Sequence, residues 1–300
     1  MQINMIRSDK VYQEMLELPL EKREGCFRAK ILAPFAMKYQ TQHIPLKAKY
    51  PGGFDALFLL GFMNQLPSTL SEKDRPAIDA LSSDQLWQNC QDTIKRSIGL
   101  FEQAGYDLEV EDYHFTILLG NPEKPMLQLN KGYSGDGGIP GYLMLSLLPN
   151  DYTLPRVQAA LAHECNHNVR FQFIKWNQQT TLADWVVSEG LAESFAAELY
   201  GKDLIGPWVT STSPEQLEEI KPIISSQLQL TGMAEMAPYL YGDEIAKIQG
   251  QIPVGMPYAA GYAYGYHLIQ AYLKRTGKSI IEATVTPTEE ILEATKDFWK

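Results

Sequence analysis

Histidine is scarce in this chain, with five in 300 residues. Cysteine is scarcer still. Cys26, Cys90 and Cys165 are odd in number and widely spaced, which argues against a disulfide framework and points to a reducing cytoplasm. A long apolar run is also missing. The longest, residues 54–63 (FDALFLLGFM), contains Asp55 and is too short to cross a bilayer. The opening residues MQINMIRSDK show neither an apolar stretch nor a small-residue cleavage pattern, so no signal peptide is expected. Positive charge is in deficit too: 26 Lys and Arg stand against 36 Asp and Glu, a net charge of −10. That balance argues against nucleic acid or an anionic membrane as a partner and favours cations and basic peptides.

What is present suits a soluble globular protein, with 45% apolar and 21% charged residues and no internal repeat. The first hundred residues predict helices over 11–18, 25–39, 53–65 and 83–104. In the last of these, Ser83 and Asp84 are cap candidates, and Leu86, Trp87, Cys90, Ile94, Ile98 and Phe101 form one stripe that ends near Gly105. All these stripes read as core packing. After Gly105 the texture changes, and short strands are expected at 114–119, 126–129 and 142–148. The glycine-rich stretch 131–141 (KGYSGDGGIPG) lacks both phosphate-binding signatures and leads into a strand, so it reads as a flexible rim beside a cleft. The expected division is a helical N-terminal region, 1–104, packed on a core domain, 105–300.

Two of the five histidines fall within LAHECNH, residues 161–167. The surrounding segment 153–176 predicts a helix, with Thr153 as cap and Pro155 in its first turn. Residues four apart share a helix face, so His163 and His167 can aim their rings at one point, as two ligands of a tetrahedral metal must. Glu164 is rotated by about 100° around the axis, out of line for a third ligand but within reach of a water at the metal. This is the pattern His-Glu-x-x-His, with the glutamate as general base. Ala159 to Ala162 on one side and Val169, Phe171 and Phe173 on the other indicate burial. A buried polar triplet needs partners or a metal. Cys165 points off the histidine face and reads as a packed thiol.

A third ligand must come from elsewhere. Segment 181–200 predicts another helix, opened by Thr181 and Asp184 and stopped at Gly201. Glu189 and Glu193 share a face there, and both are candidates. Gly190 costs a helix interior about 1 kcal/mol against alanine. Close approach of a second helix would account for it.

SEGLAE at 188–193, following His163-Glu164-x-x-His167, resembles the gluzincin pattern, and Trp185-x-x-x-Glu189-Gly190 is similar to the zinc aminopeptidases. With the glycine-rich stretch upstream and Gly261-Tyr262-x-x-Gly265 downstream, the chain is most similar to a bacterial family of predicted zinc-dependent proteases. The resemblance spans roughly residues 105–270 and is most specific in the two ligand helices. It implies an α+β, mainly helical fold: a zincin-like catalytic domain with a small upstream sheet and two ligand-bearing helices. It also implies one Zn2+ per chain held by His163, His167 and Glu189, with Glu193 accepting the free N–H of a ligand histidine. Related peptidases add a tyrosine or histidine that polarises the substrate carbonyl. The candidates are Tyr262, Tyr264, Tyr266 and His267, with Tyr262 first, against the alternative of an aromatic packing cluster.

The expected activity is therefore a cytoplasmic zinc peptidase in which Glu164 activates a zinc-bound water and segment 142–148 binds peptide as an added strand. Peptide or protein is the expected partner, with no nucleic acid and no membrane. Glu193 being occupied, internal cleavage is favoured over removal of terminal residues. The alternative is a non-catalytic helical binding module whose metal is structural or absent. A fourth protein ligand, such as His43 or His114, would favour that reading.

Overall fold

Four short strands form one sheet in the computed structural model of the chain, which describes residues 1–299. They are β1 (Gln2–Met5), β2 (Asp112–Leu119), β3 (Tyr133–Asp136) and β4 (Tyr142–Leu147), in the order β1-β2-β4-β3. β1 and β4 both run parallel to β2, and β3 runs antiparallel to β4. β2 is buried continuously from Phe115 to Leu119, which is why that part of its sequence, FTILL, is apolar apart from Thr116 and does not alternate.

Two strand expectations change. Residues 126–129 lie in a short helix opened by Pro125, whose missing N–H costs nothing at a first helical position. The glycine-rich stretch supplies β3, so it is an ordered sheet edge and not a flexible rim. This also moves the edge. β4 is hydrogen-bonded on both sides and has no face free for an added peptide strand; β3 is the outer strand next to it.

The helices preceding β2 are α1 (Ser8–Glu17), α2 (Leu20–Phe27), α3 (Ala36–Thr41), α4 (Ala56–Leu60), α5 (Arg75–Leu81) and α6 (Asp84–Gln103). The single helix expected over 25–39 is broken by a π turn and a 3-10 turn around Pro34, which has no N–H to give. α6 holds to its stripe, with Trp87, Cys90, Ile94, Ile98 and Phe101 fully buried. The core reading fails for 53–65, where Phe54, Phe58 and Phe62 are exposed.

Between β2 and β3 lies α7 (Pro125–Leu129). After β4 come α8 (Val157–Phe173), α9 (Leu182–Tyr200), α10 (Pro207–Thr210), α11 (Pro214–Ser225), α12 (Met233–Tyr241), α13 (Asp243–Ile248), α14 (Ala260–Thr276), α15 (Ile280–Thr284), α16 (Thr288–Ala294) and α17 (Lys296–Trp299). Contacts group the chain into two units. One is residues 1–96 with 109–164, the other residues 97–108 with 165 onward. Residues 1–96 share a unit with the whole sheet, and the line falls inside α8, between Glu164 and Cys165. In the second unit α9 is the central rod, buried almost without interruption from Leu182 to Ala196. Among the described residues, no helix is long and apolar enough to cross a membrane.

Candidate metal centre

α8 is entered through an Asn150 turn, not a Thr153 cap. The Asn150 side-chain oxygen accepts the N–H groups of Tyr152 and Thr153, and a 3-10 turn over Leu154–Arg156 precedes the helix proper. From Leu161 to Arg170 every residue is buried, including His163, Glu164 and His167. The helix ends at Phe173, three residues before the expected end. α9 is opened by the expected capping box: Thr181 Oγ1 accepts from Asp184 N–H, and the Asp184 carboxylate accepts from Thr181 N–H. It stops at Gly201 with φ 94°.

His163, His167 and Glu189, all buried, offer ligand atoms that lie within 4.8 Å of one another. His167 Nε2 stands 3.3 Å from Glu189 Oε2. Two ligands about 2.1 Å from a tetrahedral ion stand about 3.4 Å apart, so this spacing matches a shared metal. Two imidazoles and one carboxylate are a donor set that zinc accepts, with a fourth position open. Among the described residues no further His, Cys, Asp or Glu joins the group. His114 stacks on Tyr142 at 5.3 Å, and His43 is exposed with φ 57°. The His167 ring lies flat against Phe171, one turn on, with centroids 5.5 Å apart and planes at 7°.

Glu193 is buried one turn beyond Glu189. Its carboxylate accepts the backbone N–H of Gly206 at 2.5 Å and the Trp208 indole N–H at 2.7 Å. Neither partner is marked by the sequence motifs. Gly190 behaves as expected: a Cβ there would collide with the Gly265 carbonyl of α14 and come within 2.9 Å of Ile269 Cγ1. Glycine is thus what lets α9 and α14 meet at backbone distance.

Glu164 has its own glycine neighbours. A Cβ on Gly135 of β3 would press into the Glu164 carboxyl group, 2.5 Å from Cγ, and one on Gly137 would come within 2.8 Å of Glu164 Cβ. At these two positions of the glycine-rich stretch, glycine is required because the glutamate lies directly on the backbone. Repeated glycine was the available signal, since it marks close backbone approach as well as loops.

The tyrosines of α14 part company. Tyr262 is half-buried with its ring near Trp208 and Tyr241, at 6.4 and 6.1 Å. Tyr264 is committed elsewhere: its hydroxyl lies 3.1 Å from Ser225 Oγ, and burial pushes its phenol up to about 12. Tyr266 is buried, and its phenol is raised first by burial and then by the charge of Glu193. The His267 imidazole is lowered by burial and by Lys221.

One residue that sequence reading passed over anchors the ligand helix. Arg170, fully buried, donates to the carbonyls of Thr284 and Thr286 at 2.8 and 3.0 Å, and to the hydroxyls of Ser188 and Thr288, both at 3.1 Å. Burial lowers its guanidinium to about 10, still charged at neutral pH. Asn166 adds a 2.7 Å bond to Thr284 Oγ1.

Residues 86–293 match the model of a family described as "Predicted Zn-dependent protease (DUF2268)". The chain belongs to this family. It is 34% identical over 293 residues to the Bacillus subtilis protein named "Uncharacterized protein YjfC", covering 97% of each chain. A second relative from that organism, "Uncharacterized protein YjaZ", is 27% identical over 155 residues, covering 50% of this chain and 55% of its own. No solved structure matches. The family match begins at residue 86 and takes in both helices of the buried histidine and glutamate group.

Proposed function

We propose that this member of the family is a zinc-dependent peptidase. The observation that carries the reading is the convergence of three buried donors, with no fourth among the described residues, beside a buried glutamate on the same helix. His163, His167 and Glu189 would hold the metal. When bound, zinc supplies Lewis acidity that makes water acidic and polarises a peptide carbonyl. Glu164 takes a proton from the attacking water and returns it to the leaving nitrogen. The β3 glycines fix where that carboxylate lies. Tyr262 donates its hydroxyl to the oxyanion, with Tyr266 on the same face of α14. Glu193 serves as an outer acceptor for a ligand imidazole while it ties down Gly206 and Trp208.

The peptide is placed along β3, not on β4, because β3 is the outer strand of the sheet and lies against Glu164. Internal cleavage is the expected mode, since Glu193 is engaged and not available to grip a free α-amine. Three cysteines with no disulfide between them fit a reducing compartment such as the cytoplasm.

The test is Glu164→Gln. Glutamine keeps the size but cannot take a proton, so zinc content and folding should persist. Peptide cleavage should fall by about 10²–10⁴-fold. Activity that survives with zinc retained defeats the mechanism, and loss of zinc shows that Glu164 is itself a ligand.

A further inference from the structure

The longest apolar run of the chain is for the most part not buried. Within 54–63 only Asp55 and Ala56 are buried. Phe54, Phe58 and Phe62 are 53%, 50% and 47% exposed, and Tyr50 just before them is 70% exposed. Phe58 lies on α4, with Phe54 just before its cap and Phe62 just after its end, and ring centroids 5.8 and 5.5 Å apart join the three into one aromatic ridge. Scattered apolar residues on a surface are ordinary; a ridge of adjoining rings is not.

The buried member explains how the ridge is held. Asp55 caps α4 by accepting from Phe58 N–H, accepts a second bond from Ala48 N–H, and is ion-paired with Arg28 at 2.8 Å. Asp55 is the only acidic residue between positions 25 and 71. That stretch also carries Arg28, Lys30, Lys38, Lys47 and Lys49. Its formal charge is +4 within a chain of −10, which leaves −14 on the remainder. Arg28, Lys30 and Lys38 are answered by Asp55, Glu14 and Asp136. Lys47 and Lys49 are exposed and have no ion-pair partner among the described residues.

We propose that the ridge Phe54–Phe58–Phe62, flanked by Lys47 and Lys49, docks this protein on an anionic lipid surface. From Ala56 to Met63 no side chain carries a polar atom, so the face offers no directional hydrogen bonds of the kind that set a protein–protein interface. A fluid bilayer asks for none: phenyl rings enter the headgroup boundary while lysines reach the lipid phosphates and carboxylates. The net charge that argues against such a surface is screened beyond about 8–10 Å at physiological salt, so the local charge decides the contact.

The experiment is flotation of the full-length protein with phosphatidylcholine vesicles, with and without phosphatidylserine, at low and high salt. Binding is expected only with phosphatidylserine, weakened by salt. It should fall about tenfold or more in Lys47→Glu/Lys49→Glu and likewise in Phe54→Gln/Phe58→Gln. These side chains are exposed, so unchanged thermal denaturation should verify both variants. The Phe58→Trp protein should shift its emission to the blue on binding. No binding to phosphatidylserine vesicles overturns the proposal, as does equal binding to neutral ones or binding indifferent to these substitutions. Self-association abolished by Phe54→Gln/Phe58→Gln would overturn it in favour of a second copy on the ridge.

Discussion

Gly190 of α9 and Gly265 of α14 meet backbone to backbone. A Cβ on Gly190 would run into the Gly265 carbonyl, and one on Gly265 would run into Val186 O and stand 3.2 Å from Gly190 N. Glu189, one of the three buried residues that could hold a metal, sits directly before this contact, so the helix spacing bears on where its carboxylate lies.

Gly190→Ala should therefore destabilise the protein even though alanine is the better helix former. The propensity gain is about 1 kcal/mol. Forcing two backbones apart costs about 1–3 kcal/mol and more where nothing flexible can yield. The net effect should appear as a fall of several degrees in thermal midpoint. A rise would show that the helices are free to separate.

Removing metal should lower stability as well as activity. A ligand that binds only the folded state contributes about 2.7 kcal/mol at a hundredfold excess over its dissociation constant. Wild-type protein should carry about one zinc per chain, and chelation should lower its thermal midpoint. His163→Ala should hold no zinc and should not respond to chelator. Glu189→Gln should bind zinc more weakly, since an amide is a poorer ligand than a carboxylate. Zinc retained at full affinity in both variants would remove these residues from the site.

Gly135→Ala tests the strand beneath Glu164. Its methyl group would occupy space that the carboxyl group now fills. Displacing a general base by about 1 Å costs on the order of 10²-fold in rate, while the three ligands stay in place. The expected signature is a fall in kcat with zinc affinity unchanged. Equal losses in both would mean that β3 supports the fold and not the base.

Arg170→Met keeps volume and removes every donor from a buried site. The carbonyls of Thr284 and Thr286 would lose their 2.8 and 3.0 Å partners. Leaving buried acceptors unsatisfied costs about 1–3 kcal/mol each, so urea denaturation should show a loss of about 2–6 kcal/mol. A loss under about 0.5 kcal/mol, the level of an ordinary surface change, would show that water satisfies these carbonyls.

The parts of the site legible in the sequence are those whose physics is local. His163, Glu164 and His167 share one helix, and their relation follows from 3.6 residues per turn. The Thr181–Asp184 box and the Gly201 stop mark α9 for the same reason. The rest depends on segments far apart in the chain. β1 pairs with residues about 110 positions away, and nothing in MQINMIRSDK announces it. Glycines 135 and 137 were visible, but their composition fits a loop as well as a close approach, and only the position of Glu164 separates the two. Arg170 looks like a basic residue near a helix end until residues 284–288 fold back over it. The ridge at 54–62 misled in the other direction, because periodic apolar residues predict burial and here three aromatics remain in solvent.

The parallel pairing of Gln2–Met5 with Asp112–Phe115 has a consequence for synthesis. A growing chain emerging from the ribosome carries its first strand with no partner until more than a hundred residues have been added. The centre of the sheet must wait longer, because β4 pairs with β2 only once Leu147 exists. Contacts this distant in sequence close slowly, and they leave an apolar strand and an open edge exposed meanwhile. The sheet half of the molecule is therefore the part most dependent on protection from aggregation at birth, whereas α8 and α9 are neighbours in sequence and can find each other early.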